Sequence, residues 1–400
     1  MKDFDALPEL DITATDFLGD PPAALQFALE QAPIWRSARG LEVLPYRSCL
    51  TASRDRRLWV NNLRDVEALG FPEGPVMDFK RRMILGQGFT KDRTAIRQTL
   101  GRTVGRVGAE DMRPAIRSII HALLDDIVAH TPSGPAEFLN AFCVLLPARL
   151  YCYWVGAPDA DAPFAARLSE AVMRVFLQDP SDVPIIVEAY EELFPYIERQ
   201  MAQARQTPQD NLLGLLMSEV DRGVMTPLQA QDFAVMLLEA SIENSAQQLA
   251  LVLGAVLGDA EIKSQLLRSP NYIGPAVNEA IRLNSRVGRL KRYTREAVSI
   301  DGVMIPPDTS VILGSWAAHR DATVFQQPEL FRLDRNNPAA NLTFGGGNFS
   351  CLGQFVALIE IEETLKILNQ RFPDARLCEF KTDFSPVRKA CQVLTIALMP

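Results

Sequence analysis

The chain has 400 residues, 48% of them hydrophobic and 22% charged, which is the balance of a globular enzyme with a large buried core in one big domain or two. Its net charge of −8 argues against a nucleic-acid partner. Three scattered histidines give no zinc spacing, and six cysteines form no disulfide framework, which suits a reducing cytoplasm. The opening MKDFDALPELDITATDF is acidic and broken by proline, so it reads as neither a signal peptide nor a membrane anchor.

In chain order, Pro33–Arg36 and Leu41–Leu44 flank Ser37-Ala38-Arg39-Gly40 and read as a hairpin. From about Asp92 to Arg205 the apolar spacing is helical, with breaks at Thr131–Pro135, Gly156–Pro158 and Asp179–Ser181. Thr226-Pro227-Leu228-Gln229 carries a Thr cap, Pro at the first helical position and Gln three residues after the cap. The helix it starts is predicted to run to about Gly258, and a shorter one covers about Asn271 to Asn284. Ala297–Ile300 and Val303–Pro306 read as short strands around an Asp-Gly turn, Cys351 to Gln370 as a helix, and Gln392 to Leu398 as a strand. Many helices with a few small sheets make a mainly-α protein.

The most informative stretch is Phe344-Gly345-Gly346-Gly347-Asn348-Phe349-Ser350-Cys351-Leu352-Gly353. Glycines allow a tight turn and close approach to a flat ligand, and a following helix favours the thiolate. With 20 Phe, 23 Gly and 6 Cys available, Phe-x-x-Gly-x-x-x-Cys-x-Gly arises by chance about once in a thousand such chains. The stretch resembles the haem-binding loop of cytochrome P450. Glu279-Ala280-Ile281-Arg282, about 70 residues earlier, resembles the family's Glu-x-x-Arg pair, which braces that loop. Between them, Val324 to Arg335 looks like the family's meander. Leu330 stands where the family often has arginine, which leaves Arg320, Arg332 or Arg335 to complete the brace.

The resemblance covers most of the chain and implies the mainly-α cytochrome P450 fold with small β-sheets. Haem b would lie between the long central helix and the Cys-ligand helix, in a single haem domain with no fused reductase. Cys351 is then the metal ligand, in a loop with Phe344, Gly345, Gly347, Phe349 and Gly353. Arg97 and Arg292 match the propionate arginines, and Arg93 stands where that clamp usually has histidine. Phe349 replaces another histidine of the same set. Glu243, Asn244 and Ser245 match the oxygen-activating segment, with Asn244 in place of the usual alcohol and Ser241 in place of its glycine. A carboxylate beside a hydroxyl can hold water and relay protons, whereas asparagine has no readily exchanged hydroxyl proton. Met236, Glu239, Ala240, Val287, Gly288, Leu290 and the loop over residues 61–85 are expected at the substrate. Glu239 stands where the family is usually apolar, so it anchors a cationic or hydroxylated substrate, faces solvent, or pairs with an arginine.

The implied activity is insertion of one atom of dioxygen into a small to medium apolar substrate, by hydroxylation or O-demethylation. Electrons come ultimately from NAD(P)H through ferredoxin reductase and ferredoxin, and the protein is expected to be a cytoplasmic monomer. The rivals are a P450-fold enzyme with other chemistry (oxidative coupling, peroxide use or rearrangement) and a non-catalytic haem-binding protein.

Overall fold

A computed structural model describes residues 6–83, 91–131, 134–335 and 341–399. The chain divides into two compact units.

The first unit gathers Met1–Val60, Ala250–Cys351 and Arg376–Leu394. Its main sheet has five strands, in the order Ile34–Ser37, Gly40–Val43, Ser310–Leu313, Leu290–Thr294 and Leu58–Trp59. The first two form the predicted hairpin, with Ile34 opposite Val43. The second pairs parallel with Ser310–Leu313, and the remaining pairs are antiparallel. Gly40, at φ +137°, lies where a Cβ would come within 2.5 Å of the Ser310 carbonyl oxygen, so glycine is needed there. Leu41, Val43, Val311 and Leu313 bury one face of this sheet against Tyr46, Cys49 and Phe325. The predicted Val298–Ile300 and Val303–Ile305 strands pair as a separate hairpin, and the Ile273–Leu283 helix matches its forecast.

The second unit, Asn61–Leu249, Leu352–Ala375 and Thr395–Pro400, is mostly helical. Its helices include Pro75–Arg82, Lys91–Val104, Arg113–His130, Ala162–Met173, Val183–Gln206 and Gln354–Arg371. In Arg113–His130 the buried side chains Ile116, Ile120 and Leu124 recur every fourth residue, the stripe of a helix with one face in a core. The region forecast as helical also contains a π-helical turn, Leu139–Val144, where the Cys143 N–H reaches the Phe138 carbonyl at 3.0 Å. Pro135–Glu137 is a short strand antiparallel to Thr395–Ala397, at one of the forecast breaks.

One helix, Pro227–Gly258, has 32 residues. Its start is the predicted reciprocal cap. The Gln229 N–H donates to Thr226 Oγ1 at 3.2 Å, and the Thr226 N–H donates to Gln229 Oε1 at 2.8 Å.

Candidate active site

In the first unit the glycine-rich loop is closed on itself. The Cys351 N–H donates to the Phe344 carbonyl at 2.7 Å, and the Gly345 N–H to that of Leu342 at 2.9 Å. Gly345 and Gly347 sit at φ +70° and +58°, the left-handed region that favours glycine. Gly346 is extended, but a Cβ on it would lie 2.2 Å from Ser53 Oγ. Cys351 itself lies outside the following helix, which begins at Gln354 rather than at the cysteine; the loop-closing bond keeps these residues out of helical geometry. Cys351 and Cys378 are exposed, Cys378 on the Arg376–Phe384 strand, whereas Cys49, Cys143, Cys152 and Cys391 are buried. Burial pushes the Cys152 thiol up to about 12 and the Cys49 thiol higher still, so neither is a ready thiolate.

Glu279 is buried and accepts two bonds from Arg282, at 2.7 and 2.8 Å, and one from Arg335 Nε at 2.5 Å. Arg335 is therefore the third side-chain brace; Arg320 instead faces Glu329, and Arg332 donates its N–H to Glu279 at 3.2 Å while its side chain pairs with Asp334. Burial works to raise the Glu279 carboxyl, but the hydrogen bonds from Arg282 and Arg335 outweigh it and hold it below its usual range. Arg282 Nη1 also donates to the His319 carbonyl at 2.6 Å, and the His319 ring accepts the Leu342 N–H at 2.9 Å. Burial lowers the His319 pKa to about 3, so the ring is neutral.

Arg292 is 3% exposed, and its guanidinium lies 5.2 Å from the centre of the Phe349 ring. Nη1 bonds the Lys291 carbonyl at 2.8 Å, while Nε and Nη2 are buried with no partner among the described residues. Burial alone lowers its pKa to about 10. A buried guanidinium with two unused donors, beside a glycine-rich loop ending in an accessible cysteine, fits an anionic cofactor such as haem with its propionates. Val287, Gly288 and Leu290 lead into the same strand. A Cβ at Gly288 would meet the Trp316 ring at 2.5 Å, and the Gly288 N–H bonds the Val387 carbonyl at 3.1 Å.

In the second unit, Met236, Ala240 and Asn244 recur every fourth residue along the long helix. Ala240 is exposed and the other two half-buried, though the side chains between them are mostly buried, so this is the helix's open strip. Asn244 Nδ2 donates to the Ala240 carbonyl at 3.2 Å, and the Ser245 hydroxyl bonds the Glu360 carboxyl. Burial, partly offset by Ser245, pushes the fully buried Glu360 up to about 8. Ser169, on the Ala162–Met173 helix, bridges the Glu243 N–H at 3.2 Å and the Leu238 carbonyl at 3.3 Å, across the helical ladder beside the acid. Glu239 faces neither solvent nor an arginine. Lys80 donates to it at 2.8 Å and Tyr190 at 3.0 Å, and Lys80 also donates to Tyr190 at 2.6 Å, closing a buried ring of three. Ser169, Lys80, Tyr190, Glu360 and His319 were invisible in the sequence because each meets its partner through tertiary contact. Arg97 is half-buried on the Lys91–Val104 helix, and the side chain of Arg93 lies outside the described residues; the segment 61–85, expected as a loop, instead carries the helices Asn62–Ala68 and Pro75–Arg82, and its last two residues lie outside the described ones.

The family model described as Cytochrome P450 matches residues 190–381. Mycinamicin IV hydroxylase/epoxidase of Micromonospora griseorubida is 32% identical over 272 residues, 67% of this chain and 67% of that protein. The chain belongs to the cytochrome P450 family. Luteothin monooxygenase of Streptomyces thioluteus is 29% identical over 370 residues, covering 91% of this chain and 89% of its own. The crystal structure of CalO2 superposes with a TM-score of 0.88 at 24% identity, covering 98% of this chain and all of that one, and shares the cytochrome P450 fold. This P450 is an oxidoreductase of the monooxygenase family, and the family implies a haem-thiolate cofactor. No helix among its described residues is long and apolar enough to cross a membrane.

Proposed function

We propose that this P450 is a cytoplasmic, monomeric haem-thiolate monooxygenase that inserts one atom of dioxygen into a small to medium apolar substrate, by hydroxylation or O-demethylation. Electrons would reach it from NAD(P)H through ferredoxin reductase and ferredoxin. The observation that carries the reading is Arg292, a buried cation with two unused donors beside Phe349 of the cysteine loop. Haem b, when bound, supplies the oxygen activation and redox chemistry.

The chain's own residues do the rest. Cys351 Sγ would be the iron ligand, presented by the loop through Phe344, Gly345, Gly347, Phe349 and Gly353. Arg292, Arg97 and Arg93 would supply the positive charge for the propionates. Glu279 and Arg282 hold the meander, with Arg335 as their third member. Met236 and Ala240 on the open strip would be substrate residues, as would Val287, Gly288 and Leu290. Glu239 contributes polarity there while anchored to Lys80 and Tyr190. Glu243 would pass protons and Asn244 would hold water by hydrogen bonding, and Ser245 is steadied by Glu360.

The reduced carbon-monoxide complex should absorb at the thiolate position, and Cys351→Ala should abolish that band; its retention would overturn the ligand assignment. Turnover with a ferredoxin should fall as salt rises, because screening weakens encounter of charged partners. One observation favours a second reading. The amide of Asn244, not a hydroxyl, stands beside Glu243, which suits coupling, peroxide use or rearrangement. Label from dioxygen in a hydroxylated product, or formaldehyde released in step with an O-demethylated one, supports oxygenation, and the absence of both supports this second reading.

A further inference from the structure

We propose that His319 is a positioning residue for the thiolate loop, its imidazole fixing the register in which Cys351 is presented. This inference rests on Cys351 being the iron ligand. His319 caps the short Ser315–Ala318 helix and is fully buried. It is held from behind, its N–H donating to the Ser315 carbonyl at 2.9 Å and its own carbonyl accepting Arg282 Nη1 at 2.6 Å. Its ring points forward, and Nε2 accepts the Leu342 N–H at 2.9 Å. That acceptor role fixes the ring proton on Nδ1.

From Leu342 the linkage runs through backbone alone. The Leu342 carbonyl accepts the Gly345 N–H at 2.9 Å, and the Phe344 carbonyl accepts the Cys351 N–H at 2.7 Å. The imidazole is thus the first link of a hydrogen-bond chain ending on the amide of the ligand residue. The same residue receives the Glu279–Arg282 brace on its carbonyl, so it joins brace to loop. Asn341 and Thr343 add weaker ties on either side. Asn341 Nδ2 lies 3.4 Å from the Asn278 carbonyl, and the Thr343 hydroxyl is 2.6 Å from that of Ser285. Neither of these takes the Leu342 N–H. Without an acceptor that donor is buried and unsatisfied, and the turn that starts the loop is free to shift.

The test compares three variants of the haem-loaded protein. In His319→Gln, Oε1 lies as many bonds from Cα as Nε2 does and can accept the same N–H. In His319→Asn the acceptor is too short, and in His319→Leu it is gone. Two readouts are taken: amide hydrogen exchange at Leu342, and the lifetime of the thiolate-type band of the reduced carbon-monoxide complex. Exchange should be about tenfold faster in the Asn and Leu variants, the usual scale for one lost hydrogen bond, with faster decay of the band. The Gln variant should match the wild type in both. Wild-type exchange and band lifetime in His319→Asn would overturn the proposal, as would a Gln variant as impaired as the Asn variant. If His319→Leu fails to fold, the Asn and Gln pair decides alone. Cys351→Ala separates the two layers. A persistent thiolate band there refutes the ligand assignment, while exchange at Leu342 still reports on the His319 bond.

Discussion

Replacing Lys80 by methionine should destabilise this P450 far more than replacing Lys80 and Glu239 together. Lys80 and Glu239 have side chains only 3% and 9% exposed, and their ion pair spans 2.8 Å. Removing the ammonium leaves a buried carboxylate whose remaining partner is Tyr190 at 3.0 Å. Breaking a buried pair in this way costs about 3–5 kcal/mol. Unfolding entropy of about 2.1 cal/mol/K per residue gives roughly 0.8 kcal/mol/K for 400 residues, so Tm should fall by about 4–6 °C. Lys80→Met combined with Glu239→Leu removes both charges, and apolar replacements of a buried pair are often neutral or stabilising, so most of the loss should be recovered. Tyr190→Phe, which removes one hydrogen bond to the carboxylate, should fall between wild type and Lys80→Met. Calorimetry on equally haem-loaded variants measures all four. A Lys80→Met protein as stable as the wild type, or a double variant no better than the single one, would refute the reasoning.

Arg292→Leu should weaken haem retention yet stabilise the haem-free chain, because it removes a buried cation with two unused donors; stripping haem and melting both forms measures each effect. Glu360, whose folded pKa is raised from 4.5 to about 8, contributes stability that is complete below about pH 4.5 and lost as pH rises through 8. Glu360→Gln should therefore gain on the wild type between those values in denaturant titrations at stepped pH, and a constant difference across that window would count against a buried neutral acid. Asn244→Ala should lower product per reductant consumed and release more peroxide, with Ser245→Ala milder because that hydroxyl is committed to Glu360; a product and peroxide balance checks both.

What the sequence disclosed was what is local. The cap at Thr226 and Gln229 lies within four residues, and the hairpin at Ile34–Val43 within ten, so propensity and turn chemistry suffice for both. The five-stranded sheet was illegible because its central parallel pairing joins Gly40–Val43 to Ser310–Leu313, about 270 residues away, where neither strand alternates distinctively. The cysteine loop and the Glu279–Arg282 pair stood out because their spacing is short and fixed. Which arginine completes the brace did not, since Arg320, Arg332 and Arg335 share one irregular segment and only its folding brings Arg335 to Glu279. Glu239 posed the same difficulty. Its partner Lys80 lies 159 residues upstream on another helix, and no helical periodicity links the two.

The close approach of Gly346 to Ser53 ties two distant positions into one unit of sequence variation. Gly346 has ordinary extended geometry, so its need for glycine is imposed from outside, by a serine almost 300 residues away whose Oγ occupies the space of a Cβ. Drift at either site is therefore conditional on the other. A lineage that acquires glycine at 53 gains licence for alanine at 346, and one that acquires a bulkier residue at 53 must move the loop that presents Cys351. Gly347 enjoys no such exchange, because its φ of +58° would penalise a side chain even if Arg54 were gone.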